Sequence, residues 1–121
     1  MLAWVALAGA LGAVARYAVH TLVQSRVAGL FPFGTVVVNL GGSFVLGVIA
    51  GLAIYHGLDP DVRVVVGTGF VGAYTTFSSF SYETLGLLED GAPRAALVNA
   101  FGSIAAGLLA ATAGLVLAGA L

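Results

Sequence analysis

The chain of 121 residues contains no cysteine, which excludes disulfide cross-links, thiol chemistry and cysteine-based metal centres. Charge is almost as scarce: 7 % of residues are Asp, Glu, Lys or Arg, against about a quarter in a soluble domain. The formal net charge of −1 leaves no basic footprint for a nucleic acid and no polybasic membrane anchor. The only histidines, His20 and His56, lie far apart and near loops, so no metal or catalytic cluster is built from them. No charged leader precedes the first apolar run, which continues past Arg16. The N-terminus is therefore expected to be a retained spanning helix and not a cleaved signal.

What the chain does have is apolar. Hydrophobic residues make up 60 % of it and the mean hydropathy is +1.11, values that place it in a membrane. At about 20 residues per crossing, four crossings fit with only short loops between them. The expected architecture is one all-α, multi-pass domain over 1–121 in the cell membrane. Its helices should run over about 2–23, 33–55, 62–88 and 94–121, the third broken near 72–76.

That third segment holds the least ordinary stretch, GFVGAYTTFSSFSYE from Gly69 to Glu83. Gly69 and Gly72 are poor helix formers, and the hydroxyls of Thr75 and Thr76 can redirect the backbone. Broken backbone at membrane depth survives only where it is buried in protein or lines a wet cavity. The break frees carbonyls of the first half-helix and amides of the second. The carbonyls suit a small cation and the amide end favours an anion.

Phe77 and Phe80, three apart, share one side of the second half-helix, among the hydroxyls of Thr76, Ser78, Ser79 and Ser81. Membrane phenylalanines usually face lipid or core. Interleaved with donors, however, their ring edges carry the positive part of the aromatic quadrupole and can solvate a small anion without trapping it. Glu83, one turn beyond Phe80, would repel an anion if ionised and exposed; a paired, protonated or anchoring carboxyl is the alternative.

Two other helices carry matching stripes. Thr35, Asn39, Ser43, Gly47 and Gly51 recur every four residues, as do Asn99, Ser103, Gly107 and Ala111. Their small ends suit close helix packing, whereas Asn39 needs partners in hydrocarbon and offers donors to an anion. In the first helix Ala8, Gly12, Arg16 and His20 share a face that should point at protein. Arg16 reads either as an interfacial residue ordering the loop or as an anion-attracting vestibule charge, and His20 reads as interfacial. With four crossings, Arg26 and Arg94 fall on one side and Arg63 on the other. Such a weak bias allows insertion both ways round. Two oppositely oriented copies would then pair about a twofold axis in the membrane plane.

GALGAVARY near the start, PFGTVVVNLGGSFVLG from Pro32 and GFVGAYTTFSSFSYE from Gly69 together resemble the Fluc or CrcB family of fluoride channels, across all four helices. The resemblance implies an antiparallel, dual-topology homodimer with two pores that exports fluoride passively and relieves its toxicity. It implies backbone carbonyls of Gly72 and Thr75 around a structural sodium ion at the dimer interface. Phe77 and Phe80 would line the pore with Asn39, while Ser78, Ser79 and Ser103 would supply hydroxyls along a polar track. Glu83 matches the family's carboxylate near the pore, and Asn99 departs from it by standing where some members have tyrosine. The competing reading is a small dual-topology, proton-coupled multidrug exporter with Glu83 as its exchange site. Neither reading is an enzyme.

Overall fold

The computed structural model describes residues 1–121 and is entirely helical. Helix α1 spans Leu2–Ser25 and α2 spans Phe33–Tyr55, with Pro32 as the N-cap of α2. The next helix, α3, covers residues 60–74: a turn at Pro60–Val62, a π-helical stretch Arg63–Val71 and a closing turn Gly72–Tyr74. Asp59 caps it, its side chain accepting the Asp61 N–H at 2.8 Å. Two extended residues follow, and α4 runs Phe77–Glu89. The last helix, α5, covers Pro93–Ala120 and includes a second π-helical stretch at Val98–Gly102. Three of these helices, α1, α2 and α5, are long and apolar enough to cross a membrane.

The helices pack chiefly as two pairs, α2 along α5 and α1 along α3, with α1 also touching α2 and α4 resting on the start of α5. Backbone-to-backbone approach defines both pairs. A Cβ on Gly47 would strike the Ala111 carbonyl, and one on Gly114 the Phe44 carbonyl. Between α1 and α3, a Cβ on Gly12 would strike the Phe70 carbonyl. The two small-residue stripes therefore face each other, since dispersion between close backbones replaces the hydrophobic drive that lipid removes. Gly114→Ala should destabilise the protein by about 1–3 kcal/mol through overpacking. Gly86 faces open space, so Gly86→Ala is the control. A lower melting temperature in detergent for Gly114→Ala alone is the expected result.

Candidate functional site

The interruption between α3 and α4 is where the polar residues collect. Thr75 (φ −79°, ψ 156°) and Thr76 (φ −145°, ψ 117°) are both extended, so the helix stops at Tyr74 and restarts at Phe77. Asn39, from the second turn of α2, holds the interruption with both ends of its carboxamide. Its Nδ2 donates to the Thr76 carbonyl at 2.9 Å, and its Oδ1 accepts the Thr76 N–H at 2.9 Å. Thr76 caps α4 in turn, its Oγ1 accepting the Ser79 N–H at 3.2 Å. Thr75 Oγ1 donates back to the Val71 carbonyl at 3.0 Å. Gly42 lets the extended segment sit directly on α2, because a Cβ there would collide with the Thr75 side chain.

These bonds change the state of two carbonyls. A continuing helix would give the Thr76 and Ser79 amides to the carbonyls of Gly72 and Thr75. Here the first goes to Asn39 Oδ1 and the second to Thr76 Oγ1. Gly72 and Thr75 thus keep carbonyl oxygens that have lost those helical donors, one in the last turn of α3 and the other in the extended segment.

A cavity of about 370 Å³ opens against the interruption. Asn39, Ser43, Thr75, Phe77, Phe80 and Ser103 are among its lining, so residues from α2, α4 and α5 and from the extended segment meet there. The rings of Phe77 and Phe80 meet edge to face, with centroids 5.8 Å apart and planes at 83°. Phe77 is 68 % exposed on the single chain and Phe80 is half-buried, so the cavity is open beside Phe77.

A second cavity, about 250 Å³, lies between α1 and α4 and is lined by Arg16, Tyr17, His20, Val38, Thr76, Ser79 and Glu83. Glu83 Oε1 accepts the hydroxyl of Thr35 at 2.7 Å, while Glu83 Oε2 is buried with no hydrogen-bond partner. Thr35 is 1 % exposed, so the bond ties the carboxyl to the core of α2.

The residues singled out in the sequence therefore divide. Asn39, Phe77, Phe80, Thr75 and Ser103 come together at the first cavity; Ser79, Glu83, Arg16 and His20 come together at the second. Ser78 lines neither and lies 3.4 Å from Thr76 Oγ1. Asn99 is buried behind the first cavity, its Nδ2 donating to Thr84 Oγ1 at 2.8 Å. Sequence spacing assigns no role at the site to Thr35 or Thr84. A hydroxyl at a four-residue spacing signals a buried face, but its partner depends on which helices meet.

Residues 3–115 match the family model described as CrcB-like protein, camphor resistance (CrcB). The chain is 49 % identical over 115 residues to a Leifsonia xyli protein named fluoride-specific ion channel FluC 1, covering 95 % of this chain and 84 % of that protein. A Moorella thermoacetica protein named fluoride-specific ion channel FluC 2 is 46 % identical over 123 residues, 99 % of each chain. A Thermus thermophilus protein named fluoride-specific ion channel FluC is 45 % identical over 117 residues, covering 97 % of this chain and 94 % of its own. With the family model matching from the third residue to within six of the end, this multi-pass membrane protein belongs to the CrcB family.

Proposed function

We propose that the protein is a fluoride-selective channel that lets fluoride leave the cell down its gradient. The observation that carries this reading is the first cavity, where two phenylalanines set edge to face, a carboxamide and hydroxyls line one space with no carboxylate among them. Fluoride holds its hydration shell tightly, so a permeable site must replace water with many weak, positively polarised contacts. Phe edges supply such contacts without a full charge that would trap the ion. Relatives named for fluoride support the reading over the whole length of the chain. Growth on fluoride tests it. Cells lacking their own fluoride exporter should regain fluoride tolerance with this chain, and continued sensitivity despite membrane expression would contradict it.

The working unit in this reading is an antiparallel homodimer. The first cavity is open beside the exposed Phe77, so a second copy would keep that ring and the extended backbone out of lipid. Arg26 and Arg94 on one side oppose Arg63 on the other, a bias too weak to fix one orientation. A cysteine placed by Arg26→Cys, in a chain that has none of its own, should react with an impermeant maleimide from both sides of the membrane. Labelling from one side only would refute dual topology.

A structural sodium ion between the two copies fits the carbonyls of Gly72 and Thr75, which have lost their helical donors and are hard oxygen ligands. When bound, the ion supplies positive potential beside the anion path. The residues of this chain do the rest: Asn39 and Thr76 take the amides that would otherwise bond the two carbonyls. Replacing sodium with N-methylglucamine should lower the melting temperature of the dimer, and a melting curve indifferent to sodium after prolonged exchange would remove the ion from the account.

A proton-coupled exporter would need an accessible carboxylate in a roomy cavity. Glu83 instead gives one oxygen to Thr35 and has the other buried, and it is absent from the first cavity.

A further inference from the structure

Several polar residues face the first cavity, but one of the most completely buried polar side chains in the molecule does not. Asn99 is 1 % exposed, and a carboxamide is costly in such a place unless its position matters or its bonds are all made. Its bonds form a chain. The Ser103 hydroxyl donates to Asn99 Oδ1 at 3.3 Å, Asn99 Nδ2 donates to Thr84 Oγ1 at 2.8 Å, and the Thr84 hydroxyl donates to the Phe80 carbonyl at 2.7 Å. Both ends, Ser103 and Phe80, line the first cavity; the middle, Asn99 and Thr84, does not. The chain crosses from α5 to α4 where α4 rests on the Pro93–Gly102 part of α5. Asn99 itself lies in the π-helical stretch Val98–Gly102.

We propose that Asn99 and Thr84 are positioning residues that hold the Phe80 turn of α4 against α5 and so set the width of the cavity for a small anion. This rests on the channel reading above. The Thr84 hydroxyl can serve Phe80 only if its proton points to that carbonyl, and the Asn99 N–H, arriving at the oxygen, leaves the proton no better acceptor. Each bond fixes the rotamer of the next side chain, which a single bond could not do. Phe80 is held through its backbone, which leaves the ring edge free to meet Phe77 and the anion. Without the link, the turn bearing Phe80 can move relative to Ser103, and a wider cavity admits a larger halide on more equal terms.

The test compares Thr84→Val, Thr84→Ser, Asn99→Leu and the double variant Thr84→Val with Asn99→Leu, each in liposomes, with Phe80→Ile and native protein alongside. Efflux of fluoride and of chloride is read separately. Thr84→Val should lower the ratio of fluoride to chloride flux by about tenfold, the rate equivalent of one lost hydrogen bond in the barrier difference. Thr84→Ser keeps the hydroxyl and should keep the native ratio. The double variant should be no worse than either single change, because both cut the same link. Thr84→Val leaves the buried Asn99 N–H unpaired and should melt lower than native, whereas the double variant removes that orphan. A ratio equally lowered in both therefore separates the change from simple unfolding. The proposal is overturned if Thr84→Val keeps the native ratio while Phe80→Ile loses flux. It is also overturned if the two single effects add in full. Native protein that passes no fluoride would overturn the channel reading, and this proposal with it.

Discussion

Phe77→Ile and Phe80→Ile are each expected to pass fluoride about tenfold more slowly than the native protein, with little change in folding. Isoleucine is apolar and of comparable reach, so packing survives while the polarised ring edge is lost. An aromatic edge contact is worth about 0.5–1.5 kcal/mol, and at the top of a barrier each 1.4 kcal/mol or so is a factor of about ten. The two rings stand at 83° with centroids 5.8 Å apart, so each also fixes the angle of the other, and removing either weakens both contacts. Fluoride efflux from liposomes, normalised to protein recovered in the membrane, is the measurement. Native flux in both variants would remove the rings from the account.

The second large effect is expected at Asn39, for a reason that concerns folding as much as permeation. Asn39→Leu leaves the N–H and C=O of Thr76 without the partners that hold them at 2.9 Å. Each unsatisfied backbone group costs about 1–3 kcal/mol when buried, and Thr76 is 8 % exposed. The interruption should then relax, Thr76 should lose its hold on Ser79, and both the melting temperature and the fluoride flux should fall. Asn39→Gln keeps both the donor and the acceptor but displaces them by one methylene, so its melting temperature should lie between those of the leucine variant and the native chain. Equal stability of all three would show that the carboxamide does not hold the break.

The contrast between these sites shows what the sequence carries. A helical membrane chain is legible in the scarcity of charge and the length of the apolar runs, because hydrocarbon admits no other single-chain solution short of a closed barrel. Close packing is legible at Gly47 and Gly51, since small residues at helical spacing have one common use in lipid. The glycines, threonines and serines of Gly69 to Glu83 also announce an irregular stretch. The long-range pairs are not legible. Thr35 with Glu83 and Asn99 with Thr84 are separated by 48 and 15 residues, and neither pair has a spacing that marks it. Their bonds exist because α2 and α5 turn particular faces toward α4, a property of the whole assembly of helices. For the same reason the sequence places Glu83 one turn beyond Phe80, and only the fold adds that it lines a separate cavity with Arg16 and His20.

The central claim, a passive route selective for fluoride, is tested most directly by ion efflux from liposomes holding the purified protein. Potassium and valinomycin balance the charge, no proton gradient is imposed, and fluoride and chloride are loaded in turn. Rapid loss of fluoride with little loss of chloride is the predicted result, at a rate unchanged when the proton gradient is varied. Retention of fluoride by well-folded protein, or efflux that requires a proton gradient, would contradict the claim and turn attention to Glu83.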